Sequence, residues 1–205
     1  SLSTQCPLLN EINIPDIPRI STVLIATQCT HVLSCIKSIS TPFVYNDNNE
    51  ESPQYAMTIP YMTELQELKA KSSYDHLLLP LISQYCLKLE SFQINESSSA
   101  TPTQVLQLVH NCQDLHTIIL WNKNMFIDEF IIKLAKRCPN LQEFVLYKCT
   151  TISIAAVLHL VQQCKQLCKL VLPIEMILYN VTVLGVPVKV QRNMINNTIE
   201  YTFSR

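Results

Sequence analysis

The sequence predicts an α/β solenoid, with parallel strands on a concave face, helices on a convex face and a β-hairpin cap at the C-terminal end. Three observations predict it. Cys86, Cys112, Cys138 and Cys164 recur every 26 residues. Each is followed by apolar residues at its third, sixth and eighth positions: Leu89, Phe92 and Ile94; Leu115, Ile118 and Leu120; Leu141, Phe144 and Leu146; Leu167, Leu170 and Leu172. Between these phrases the apolar residues change to helical spacing. A fixed period in this range marks supersecondary units that bury their apolar faces only by stacking on one another.

The unit from Cys138 to Cys164 shows the logic. Alternation along Leu141 to Tyr147 predicts a short strand with Phe144 and Leu146 inward, Leu141 inward at the turn before it, and Glu143, Val145 and Tyr147 outward. After a turn through Cys149, Ser153 is the expected helix N-cap, and Val157, Leu160, Val161 and Cys164 form the stripe facing the strands. One repeat earlier, Asp128 stands near the helix start, with Ile131, Leu134, Ala135 and Cys138 inward. Two repeats earlier, Thr101 is the expected N-cap and Pro102 the first helical residue, with Val105, Leu108, Val109 and Cys112 inward.

The whole chain, 1–205, reads as one such array. Residues 86–172 are its regular part, and 1–45 and 55–85 are degenerate repeats. Leu65 to Ala70 matches the strand phrase, and Leu33 to Ile36 is a degraded version of it. The intervening 46–54 is a polar insertion loop. Beyond Leu172 the pattern stops, and 173–205 reads as a cap: alternating runs at Val186 to Val190 and Thr198 to Phe203 flank Asn193 to Asn197 as in a hairpin. Such a hairpin would hide the last apolar rung.

Composition narrows the function. Hydrophobic residues make up 48% and charged residues 15%, too apolar for a disordered chain. Lys and Arg total 15 against 16 Asp and Glu, so no net field draws the protein to nucleic acid or to an anionic membrane. With no membrane-length apolar run and no signal-peptide start, an intracellular protein is expected, and the sequons at Asn95, Asn180 and Asn196 are discounted. Nine cysteines are an odd count, and one per repeat stacks as a ladder of buried thiols rather than as pairs. No C-x2-C pair points to zinc, so neither metal nor cofactor is expected.

The run Cys138-Pro139-Asn140-Leu141-Gln142-Glu143-Phe144-Val145-Leu146, together with Cys149 and the fifteen-residue step from it to Cys164, resembles the cysteine-containing leucine-rich repeats of F-box proteins, a ribonuclease-inhibitor-like class. The resemblance covers 86–172 well and 6–70 loosely. It implies a leucine-rich-repeat horseshoe that selects a substrate, with a separate N-terminal F-box recruiting a cullin-type ubiquitin ligase. No F-box is recognisable in these residues. The repeat phrase already present at Cys6, without an initiator Met, suggests the C-terminal part of a longer protein ending near Arg205. The pattern departs from the family at the turn cysteine, replaced by Lys123 and Ser97 in earlier repeats. It departs again at the turn glycine, since the single Gly is Gly185.

Register alone places the outward strand residues of successive repeats in columns: Ser91, Thr117, Glu143 and Lys169; Gln93, Ile119, Val145 and Val171; Asn95, Trp121, Tyr147 and Pro173. Thr117, Ile119, Trp121, Glu143, Val145, Tyr147, Lys169 and Val171 are therefore the candidate partner-binding residues, an apolar centre with an aromatic pair and a charged edge. No catalytic residues are assigned. The five His fall in different repeats, His110 and His159 at exposed helix positions and His76 without a partner in register. No phosphate loop, G-x-S-x-G or H-E-x-x-H motif occurs. The basic outer side of Lys133, Lys136 and Arg137 suits the C-terminal end of a helix dipole. These features indicate a non-enzymatic protein-interaction module, with a structural scaffold unrelated to ubiquitination as the alternative. A thiol ladder carries one immediate test: a reduced and chelated sample is expected to melt like the untreated protein, and a large loss of stability would mean disulfides or metal.

Overall fold

The computed structural model describes residues 33–40, 54–71, 73–121, 126–149, 151–176, 188–193 and 197–204. The chain divides into two compact units, Ser1–Asp114 and Leu115–Arg205. The repeat phrase at Cys6, most of the polar loop at 46–54, Lys123 and Gly185 lie outside the described residues. Gln54 does not belong to that loop, because it opens a 3-10 segment, Gln54–Tyr61.

In the first unit the elements are β1 (Ser38–Ser40), the 3-10 segment, β2 (Glu67–Ala70), α1 (Asp75–Tyr85), β3 (Ser91–Ile94) and α2 (Pro102–Asn111). The three strands pair in parallel in chain order, with Ser38 opposite Glu67 and Glu67 opposite Ser91. The strand phrase read at Leu33 to Ile36 is displaced: β1 follows it. Leu33 occupies the place of the repeat cysteine and Ile36 that of Leu65, each pair closed by a turn from the later N–H to the earlier or equivalent carbonyl (Ile36 N to Leu33 O, 3.2 Å; Leu65 N to Met62 O, 3.2 Å). Met62, 1% exposed, therefore fills the cysteine position of the repeat before Cys86. An apolar residue of different shape serves there, since Met62 is as buried as the repeat cysteines.

In the second unit β4 (Thr117–Trp121), α3 (Asp128–Arg137), β5 (Glu143–Tyr147), α4 (Ile154–Gln163) and β6 (Lys169–Pro173) alternate, and β4, β5 and β6 pair in parallel. The cap follows as β7 (Val188–Asn193) and β8 (Thr198–Phe203), an antiparallel hairpin. The later strand is the inner one. β8 runs antiparallel to β6 and buries Ile199, Tyr201 and Phe203, which closes the apolar edge of that sheet. The architecture is thus α/β with mostly parallel strands, built from strand–helix repeats. No helix among the described residues is long and apolar enough to cross a membrane.

The predicted helix starts are formed. Thr101 accepts the N–H of Gln104, and Gln104 Oε1 accepts the N–H of Thr101, a capping box with Pro102 at the first position. Ser153 Oγ accepts the N–H of Ala156. Asp128 departs from that pattern. It sits inside the first turn of α3, and its Oδ1 accepts the backbone N–H of Ser153 at 2.6 Å, so it ties one repeat to the next instead of capping its own helix.

The cysteines form the expected ladder. Cys112 Sγ donates to Cys86 O at 3.4 Å, and Cys164 Sγ to Cys138 O at 3.4 Å, while Cys138 Sγ reaches Leu115 O at 3.0 Å. All seven described cysteines carry thiols rather than disulfides. At the turn after β5, Lys148 adopts φ 53°, the left-handed region that glycine enters without penalty and that costs another residue about 1 kcal/mol.

Burial pushes the thiols of Cys86, Cys112 and Cys138 up to about 12 from an ordinary 9.0. Between those values the unfolded chain releases protons that the folded chain retains, so stability falls as pH rises above the unfolded value. The slope reaches about 1.4 kcal/mol per pH unit for each thiol. The urea midpoint is expected to fall above about pH 9, and to fall less steeply in Cys112→Ala; identical slopes would mean that these thiols are not held away from water.

Candidate functional site

The registers place the predicted columns of the second unit. Thr117 lies opposite Glu143 and Glu143 opposite Lys169; Ile119 lies opposite Val145 and Val145 opposite Val171; Trp121 lies opposite Tyr147. β8 extends these rows, with Thr202 opposite Lys169 and Glu200 opposite Val171. Ile118, Leu120, Phe144, Leu146, Leu170 and Leu172 occupy the alternate, buried positions. One face of this sheet thus carries all eight candidate residues.

Their exposure is not uniform. Thr117, Ile119, Trp121, Glu143, Tyr147 and Lys169 are partly exposed, but Val145 and Val171 are 2% and 5% exposed. The expected exposed apolar centre is therefore corrected to a filled floor. Each valine is short and is flanked in register by a larger neighbour, Ile119 beside Val145 and Glu200 beside Val171. Along the strand Val145 also stands between Glu143 and Tyr147. Alternation gives the direction of a side chain, whereas exposure depends on what stands next to it. Pro173, in the third column, is buried as well.

The aromatic pair occupies the next column, to one side of this floor. The ring centroids of Trp121 and Tyr147 are 4.1 Å apart with planes tilted by 32°, a close ring–ring contact. Trp121 Nε1 is shielded from solvent and has no hydrogen-bond partner among the described residues. On the other side of the valines, Lys169 Nζ bonds Glu143 Oε1 at 2.8 Å. That hydrogen bond raises the Lys169 pKa. Partial burial opposes the rise, and the charges of Glu143 and Glu200 add to it. A half-exposed pair of this kind contributes little to stability and fixes geometry.

The first unit presents different chemistry on the corresponding strand positions. Ser38, Glu67 and Ser91 form one row and Ser40, Lys69 and Gln93 the next. Ser38 Oγ donates to Glu67 Oε2 at 2.7 Å, and Lys69 lies 3.9 Å from the same oxygen. The aromatic and aliphatic surface belongs to the second unit.

Two histidines differ from expectation. His76 has a partner: its Nδ1 lies 2.8 Å from Ser99 Oγ and 3.1 Å from Ser73 O, and Ser99 Oγ accepts the His76 backbone N–H at 3.0 Å. Tyr74 offers α1 no side-chain cap, so Ser99 supplies one from the following repeat. The same ring nitrogen faces both oxygens, and Ser99 Oγ serves as the cap of α1. The 23-residue separation, close to one repeat, is the signal that could have revealed it. His159 is half-buried, because it flanks the buried stripe of Ala156, Val157, Leu160 and Val161, and its Nε2 is shielded without a hydrogen-bond partner among the described residues. Among the described residues no group of three His, Cys, Asp or Glu is placed to hold a metal ion.

No protein-family model matches the chain, and a search of curated proteins finds no significant match.

Because the Trp121 and Tyr147 rings touch each other and are only partly buried, their interaction should be separable from the core. A double-mutant cycle between Trp121→Ala and Tyr147→Ala is expected to give a coupling energy of about 0.5–1.5 kcal/mol by chemical denaturation. A coupling indistinguishable from zero would mean that the rings do not stack in solution.

Proposed function

We propose that this protein is a non-enzymatic recognition module, a leucine-rich-repeat horseshoe whose concave strand face holds a protein partner. The observation that carries the reading is the contacting pair Trp121 and Tyr147, partly exposed in the column beside Ile119, with the Glu143–Lys169 ion pair on the other side of the valines. Tryptophan and tyrosine at the centre of a surface, flanked by polar groups that exclude water, are the side chains that most often dominate protein binding. The filled valine floor supports this reading, since it holds the anchors in place before a partner arrives and reduces the ordering cost of association.

The resemblance of 86–172 to the cysteine-containing repeats of F-box proteins extends the proposal. The partner is then a substrate presented for ubiquitination inside the cell, and a cullin-type ligase is recruited through an F-box on the same protein. The protein captured from its own cells is expected to bring down both a partner and subunits of such a ligase. Trp121→Ala with Tyr147→Ala should remove the partner, by a loss of about 2 kcal/mol or more in affinity. It should leave the ligase subunits and the circular dichroism spectrum in place. Unchanged partner binding would overturn the concave-face reading, and a partner without ligase subunits would make the module a scaffold.

A further inference from the structure

The outermost strand of the second unit points to a second, separate binding element. β7 pairs with β8 on one side and has no strand on its other side among the described residues. Lys189, Val190, Gln191 and Arg192 are all exposed, Val190 to 53%. An edge of this kind presents unpaired backbone groups to any extended chain that can approach it. Lys189 and Arg192 are its only charged residues, and among the described residues neither side chain forms an ion pair or hydrogen bond.

We infer that the outer edge of β7 takes an extended acidic segment of a partner protein as an added β-strand. The charges select the occupant. A second copy of β7 pairing antiparallel about its centre would set Lys189 against Arg192, and like charges directly opposite one another disfavour that arrangement. An acidic strand turns the same two positions into attractive cross-strand pairs. The pleat refines the match further. Lys189 and Gln191 share the face of Thr202 and Glu200, whereas Val190 and Arg192 share the face of Tyr201 and Ile199. A fitting antiparallel segment therefore reads acidic, polar, apolar, acidic, with its acids three residues apart and on opposite faces of the strand. Main-chain bonds would supply affinity and these side-chain pairs specificity, as in other strand additions.

The test is fluorescence anisotropy with labelled ten-residue peptides carrying that pattern and the protein as it stands. The acidic peptide is expected to bind and to protect the amides of Val188–Asn193 from hydrogen exchange. Its lysine counterpart and a version with alternate residues replaced by proline are expected not to bind. Lys189→Glu with Arg192→Glu, both at exposed positions, should weaken the acidic peptide about tenfold and favour the lysine peptide. Trp121→Ala with Tyr147→Ala should leave this binding unchanged, which separates it from the concave-face reading. The inference is overturned if the acidic peptide does not bind, if single-stranded DNA or the proline peptide binds as tightly, if the charge reversal has no effect, or if the protein self-associates through β7 instead.

Discussion

One backbone contact sets the register on which the rest of each unit depends. The carbonyl just before a strand accepts two N–H groups from the next repeat: Lys37 O from Gln66 and Glu67, Gln66 O from Glu90 and Ser91, His116 O from Gln142 and Glu143, and Gln142 O from Cys168 and Lys169, all between 2.8 and 3.0 Å. Each shared carbonyl pins the first residue of one strand to the first residue of the next. A slip of one residue would turn every inward side chain outward, so this anchor protects the whole buried row. Where the repeats end, Cys168 O accepts Phe203 N, and the cap strand is seated by the same position.

A second set of contacts links neighbouring repeats at their helix ends. Asn111 Nδ2 donates to Ser83 O at 2.9 Å, Thr151 Oγ1 to Phe126 O at 2.8 Å, and Ser97 Oγ bonds Lys71 O. With the Ser99 and Asp128 contacts, they satisfy backbone groups that helices and turns would otherwise leave unpaired. Repeat proteins gain stability from such neighbour terms, because no single unit can bury its own apolar face. The thiol ladder belongs to this set: a cysteine is small and apolar enough for the core, and its S–H still finds the carbonyl one rung back.

Much of the fold was legible because the repeat imposes the same steric demand at the same interval. The inward residues of the regular strands and helices, the caps Thr101 and Ser153, the parallel pairing within each unit and the hairpin were all readable from period and turn chemistry. Less was legible where the spacing varies. The first strand lies beyond Leu33 to Ile36, and Met62 hides a cysteine position behind a different side chain. The columns of the candidate surface were readable, but their exposure was not. Val145 and Val171 have the alternation of outward residues, and only the neighbours that flank them put them out of reach of water.

The sequence by itself determined which residues face the core and which share a face, because the pleat of a strand and the turn of a helix are local properties of the chain. The tertiary structure decided what those faces present. It joined Trp121 to Tyr147 and Glu143 to Lys169, made a floor of the valines between them, turned Ser99 into a cap for another repeat's helix and, among the described residues, placed β7 outermost. Each of these depends on distances between residues about one repeat or more apart, and such distances exist only once the strands have been laid side by side.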